Sequence, residues 1–227
     1  MSIDIDDEKK IDQLILITND NKRIIYSIKK FAKISKVFDE HINCESFNKF
    51  SNKKDNNSIE YILFTNYKLI NWILDEYYVG NYFNVNSDYL EYKASLLSSL
   101  EKIFLIDIYI FSVYMKIIQL KFDIERYILK KYIKHLFVDM FDATTFKNDI
   151  FRNELNFACI NFDYLIKNIR SDKLLIYKIK QTIYLYYNNR NDIISIRKYN
   201  RDDKNFYSKY TKLFYDDLNN IINKYID

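Results

Sequence analysis

One glycine, Gly80, and no proline in 227 residues leave this chain almost without the two residues that punctuate ordinary folds. Its left-handed backbone positions must be filled by residues that carry a Cβ. Asparagine and aspartate tolerate them best, because their short side chains bond nearby backbone. The same scarcity excludes P-loops and dinucleotide fingerprints, which need glycine where backbone meets phosphate. It accompanies 22 tyrosines and 17 phenylalanines, a pattern that fits a gene of strong AT bias. The tyrosine excess thus has a codon source beside any structural one.

Hydrophobic residues at 48% against charged residues at 29% describe a chain that packs a core. At 27.8 kDa it has room for one domain, or for a small domain with a second helical unit. Cys44 and Cys159 lie far apart in a chain whose start lacks an apolar leader. Both are expected to be buried free thiols of an intracellular protein, in cytoplasm or nucleus. The most apolar run, Ile103 to Met115, is interrupted by Asp107 and is too short to cross a bilayer, so it predicts a buried helix and no membrane association.

The stretch LILITNDNKRIIYSI, Leu14 to Ile28, places two short apolar runs around the polar turn Asn19 to Lys22 and predicts a hairpin. Phe31, Ile34, Val37, Phe38 and Ile42 then recur at helical spacing, with Ser35 placed to cap a second short helix within the segment. Ile59 to Phe64 reads as another strand. A helix follows, capped by Thr65 or Asn66, with Ile70, Ile73, Leu74 and Tyr77 on its apolar face and Gly80 at its C-cap. A further amphipathic helix begins near Ser87. Asp107 is expected to start the next helix and Asp123 to cap the one after it, with Ile124, Ile128, Tyr132 and Leu136 as a stripe. Four more helical segments fill the chain from about Asp142.

Catalytic signatures are missing. His41 and His135 have no partner at a diagnostic spacing and read as surface or boundary residues. Asp202 with Asp203, and Asp216 with Asp217, are adjacent pairs that point about 100° apart on a helix and do not converge on a metal. No nucleophile elbow, zinc-protease, P-loop or kinase set occurs. The sequence therefore predicts no catalytic residue, no cofactor and no metal.

The order of hairpin, two short helices, strand, helix and helical turn resembles the BTB/POZ superfamily, most closely its Skp1 and elongin C branch, over residues about 11 to 137. In ILITNDNKRIIYSIKKFAKISKVFDEHI, Asn21 stands where that family has glycine and Ser35 where it has a serine. IEYILFTNYKLINWILDEYYVGN is similar to the family's strand, turn and tryptophan-bearing helix, with Trp72 or a neighbour at the tryptophan position. IFSVYMKIIQLKFDIERYILKKYIKHLF is similar to a Skp1 helical segment, with Leu120 and Phe122 on its apolar positions. Ile118 and Gln119 occupy its Asn-Tyr pair, so the side chains that Skp1-like proteins offer to a cullin are replaced.

The resemblance implies an α+β fold, a small BTB/POZ-like sheet flanked by helices and followed by an all-helical C-terminal extension. The divisions expected are an acidic tail over 1–10, the domain over 11–140 and helices over 141–227. It also implies a non-catalytic adaptor or oligomerisation module whose partner is a protein or a second copy, in a cullin-type ubiquitin ligase or intercepting one. Trp72, Tyr77, Tyr114, Ile118, Gln119 and Lys121 are the candidate partner-facing residues. An AT-biased gene also suits a large DNA virus or a parasite, in which such a protein acts on a host complex.

A second reading is a nucleic-acid-associated helical protein. The net charge is +4, and Arg190, Arg197, Lys198, Arg201, Lys204 and Lys209 form a basic segment that could face phosphates. Asp192, Asp202 and Asp203 interrupt it.

Overall fold

The computed structural model describes residues 13–44, 58–78, 87–137, 148–189 and 201–226. The chain divides into two compact units, one of residues 1–98 with 107–121, the other of 99–106 with 122–227. A cut drawn from the sequence near 140 thus falls inside the second unit. The fold is mixed α and β, with its three described strands all in the first unit.

In that unit, β1 (Gln13–Ile17) and β2 (Arg23–Ser27) form the expected hairpin, antiparallel with Ile15 opposite Ile25. β3 (Ser58–Ile62) pairs parallel to β1, with Ile15 opposite Glu60, giving the order β2-β1-β3. The parallel register requires a crossover, and the chain between β2 and β3 includes α1 (Ile28–Ile34) and α2 (Lys36–Ile42). Leu14 and Leu16 of the central strand are fully buried.

The hairpin turns at Asn21, whose φ of 56° puts asparagine in the left-handed region where glycine is usual. Ser35 ends α1 and caps α2, its Oγ accepting the Phe38 amide at 3.1 Å. Tyr26, Phe31, Phe38 and Tyr61 meet edge to face in sequence, the last two pairs at 4.9 Å. Each fully buried Phe contributes about 1.5–3 kcal/mol by leaving water.

Asn66, the second of the two cap candidates, caps α3 (Tyr67–Asn71), which widens into a π-helical turn over Trp72–Tyr77. Gly80 lies outside the described residues. Beyond α4 (Ser87–Ser98) come α5 (Lys102–Tyr114) and α6 (Ile118–Tyr127). Neither Asp107 nor Asp123 starts a helix. Asp107 sits in the middle of α5, and Asp123 lies inside α6, nearly buried. Helical periodicity runs on through each of them, so it outweighs the capping preference of Asp.

Lys116 joins α5 to α6 with a φ of 50°. Its amide donates to the Val113 carbonyl at 3.2 Å and the Ile117 amide to the Ser112 carbonyl at 2.8 Å. These are the two bonds of a Schellman C-cap, built here without glycine.

The second unit holds the end of α6, a π-helical turn at Ile128–Tyr132, a helical stretch over 133–137, and three long helices. These are α7 (Asn148–Ile169), α8 (Lys173–Asn188) and α9 (Arg201–Ile226). The sequence suggested four helical segments there. The first two are one helix, because half-buried Leu155, Ala158 and Cys159 and buried Phe162, Leu165, Ile166 and Ile169 continue one helical periodicity across the expected break. Phe137 meets Phe214 edge-on at 5.6 Å and Tyr187 stacks on Tyr215 at 4.2 Å. Asp163 accepts hydrogen bonds from Lys224 and Tyr225 at 3.2 and 3.0 Å. Ile124, Ile128, Tyr132 and Leu136 are all buried, as their spacing implied, but Phe122 is more than half exposed.

Cys44 is exposed, contrary to the expectation of a buried thiol, since α2 ends at Ile42. Cys159 is half-buried. No helix among the described residues is long and apolar enough to cross a membrane.

Candidate partner-docking groove

The first unit builds a concavity where the hairpin turn meets the end of β3. Leu63 continues the β1–β3 ladder, its amide donating to the Ile17 carbonyl at 2.8 Å, and is buried. Strand alternation then turns Phe64 outward, and it is 78% exposed. Thr65 turns back inward, and its carbonyl accepts the Asn19 amide at 2.9 Å.

Two hydrogen bonds and a cation–π contact fix this corner. The Asn66 side chain accepts the Leu69 amide at 2.9 Å. Asp20 accepts the Tyr67 amide at 2.9 Å, and the Lys22 ammonium lies 4.9 Å from the centre of the Tyr67 ring. A hydrogen bond from Thr18, with the Tyr67 amide and Lys22 charge adding, holds the Asp20 carboxyl below its ordinary range.

The facing wall comes from α5, where Asp107, Ile110, Phe111 and Tyr114 recur at the three and four residue intervals that put them on one face. Together with Asn19, Phe64, Thr65, Asn66 and Leu69 they enclose about 420 Å³. That volume accepts a few side chains or a small ligand. Phe64 and Tyr114, the latter 55% exposed, are its aromatic lips. Among the described residues that line the groove, Asp107 is the one carboxylate and none is a histidine, cysteine, lysine or arginine. Phe64, Leu69, Ile110, Phe111 and Tyr114 beside the polar edge of Asn19, Thr65, Asn66 and Asp107 suit binding of an apolar group with a polar rim.

Of the residues singled out from sequence, Tyr114 lines the groove. Ile118 is 53% exposed, Gln119 is exposed and Lys121 is half-buried, all on α6. Trp72 is half-buried in the π-helical turn. Tyr77 is a correction: it is fully buried, with the Lys93 ammonium 3.6 Å from its ring centre and Lys93 donating to its carbonyl, so it cannot meet a partner. Arg190, Arg197 and Lys198 lie outside the described residues, while Arg201, Lys204 and Lys209 fall on α9.

Sequence reasoning passed over Phe64, Ile110 and Phe111. Phe64 carried a usable signal, being the next outward position after Leu63 in an alternating strand. His41 and His135 are exposed as expected, and His41 Nδ1 lies 2.8 Å from the Tyr61 hydroxyl. Among the described residues no three His, Cys, Asp or Glu side chains gather as a metal would require.

No protein-family model, no curated protein and no solved structure matches the chain.

Proposed function

We propose that the first unit is a non-catalytic protein-interaction module of the BTB/POZ type, nearest the Skp1 and elongin C branch, and that its groove receives an apolar side chain of a protein partner. The observation that carries this reading is the pair of exposed aromatic lips, Phe64 and Tyr114, over a floor held by backbone bonds. Aromatic side chains on a rigid support offer large contact area at little entropic cost. The strand order β2-β1-β3, with an antiparallel hairpin and a parallel third strand, supports the resemblance, as does Ser35 in its capping role.

The partner on this reading is the helical N-terminal domain of a cullin, or a second copy of the chain. Exposed Ile118 stands in the position of the Asn-Tyr pair and offers apolar contact where that branch offers hydrogen bonds. Sedimentation of the purified chain, alone and with a panel of cullin N-terminal domains, tests this. A complex or a dimer that is lost in Phe64→Asp is expected. A chain that stays monomeric and binds no panel member overturns the reading.

A further inference from the structure

The second unit carries a surface that the reading above leaves unused. Helix α8 is apolar on two opposite faces. Leu175, Ile176, Ile179 and Ile183 are buried, as the core side of an amphipathic helix should be. On the other side Leu174, Tyr177, Tyr184 and Leu185 are each more than half exposed. At about 100° per residue these four fall within a band about 100° wide and about 17 Å long. Gln181 lies within the band, its Nε2 donating to the Tyr177 hydroxyl at 2.8 Å, and this holds the phenol along the helix. The spacing Leu174, Tyr177, Gln181, Tyr184 is that of a heptad seam.

The margins of the band decide what it fits. On the helical wheel Lys173 and Lys180 flank one edge and Lys178 the other, all exposed, and α8 contains no Asp or Glu. Asp172, just before it, is used as the N-cap and accepts the Leu175 amide at 3.0 Å. A second copy docked seam to seam would set lysines against lysines, which disfavours self-pairing. An acidic helix would set carboxylates against them.

We propose that the outward face of α8 is a docking seam for an acidic amphipathic helix of a partner protein, about three turns long, with apolar residues at heptad positions and Asp or Glu beside them. This surface is independent of the groove in the first unit.

The test uses the full chain and two labelled synthetic helices of three heptads, identical in their leucine seam, one with Glu and one with Lys at the flanking positions. In fluorescence anisotropy at about 0.1 M salt the Glu peptide is expected to bind, and the Lys peptide at least about tenfold more weakly. Leu174→Gln with Leu185→Gln lowers the affinity for the Glu peptide about tenfold. Lys178→Glu with Lys180→Glu reverses the preference. All of these positions are exposed, and an unchanged circular dichroism spectrum checks the fold.

Absence of binding, equal binding of the two peptides, or affinity indifferent to both sets of substitutions overturns the proposal. So does a dimer that Leu174→Gln with Leu185→Gln abolishes, which makes the occupant a second copy. Preferential adsorption of the chain to phosphatidylserine vesicles over the Glu peptide overturns it in favour of a lipid surface.

Discussion

The Ser35 hydroxyl donates to the Met115 carbonyl at 2.8 Å while accepting the Phe38 amide. One fully buried oxygen thereby closes the start of α2 and the end of α5, segments 80 residues apart in sequence. The Val37 amide donates to the same carbonyl at 3.4 Å. Ser35→Ala leaves a buried amide without its cap and weakens the bonding of a buried carbonyl, so the loss combines a cap with an unsatisfied polar group. We expect destabilisation of about 3 kcal/mol, read as a lowered urea midpoint, with Ser35→Thr retaining part of the stability.

Lys116 holds a left-handed φ at a Schellman cap, and its ammonium pairs with Glu40 at 2.9 Å. Both side chains of that pair are about half exposed, and it contributes little. Lys116→Gly and Lys116→Ala lose the same ion pair, so comparing them isolates the backbone. The glycine variant should be the more stable by about 1 kcal/mol, opposite to the order these residues take inside a helix. Equal midpoints would show that the turn adopts another conformation.

Ser35 and Asn21 were legible because their chemistry is specific: a serine between two apolar half-helices is a cap, and an asparagine in a polar turn takes the backbone that glycine usually takes. Asn66 was visible for the same reason. Lys116 was not, since lysine has no preference for the left-handed region and only the tertiary path of α5 into α6 demands it. Asp107 and Asp123 misled because aspartate at a helix start and aspartate within a helix look alike in a periodic apolar run. Of the groove's described lining residues only Tyr114 was among the candidates named from the sequence. The rest depends on α5 lying opposite the Phe64 corner, which no local pattern encodes.

Burial pushes the Tyr61 phenol from 10.0 up to about 12. Burial, with the Asp217 charge adding, pushes the Cys159 thiol from 9.0 up to about 11. Each group is neutral when protonated and binds its proton more tightly folded than unfolded. Their contribution is therefore complete below the ordinary values and is lost as pH rises through the folded ones. Urea midpoints should fall across this alkaline window, from about pH 9 to about pH 12. Tyr61→Phe should flatten the upper part of the fall and Cys159→Ala the lower part.

The same thiol shift separates the two cysteines by rate. Cys44 is exposed, whereas Cys159 is half-buried and burial makes its thiolate about a hundredfold scarcer near neutral pH than that of an ordinary thiol. With a chromogenic disulfide reagent at mild alkaline pH, one equivalent should react fast and one slowly. Cys44→Ser should remove the fast phase, and Cys159→Ala the slow one.

The central claim is that Phe64 and Tyr114 form the lips of a protein-docking groove, and it is tested most directly by affinity. The measurement is a titration of the full chain against whichever partner sedimentation identifies, a cullin domain or a second copy, comparing wild type with Phe64→Asp, Tyr114→Asp and Ile25→Asp. Ile25 is exposed on β2 and does not line the groove, so it reports on surface charge alone. The account predicts affinity weakened about a hundredfold at Phe64 and at least tenfold at Tyr114, with Ile25→Asp matching wild type. Equal affinity for all four proteins would contradict it.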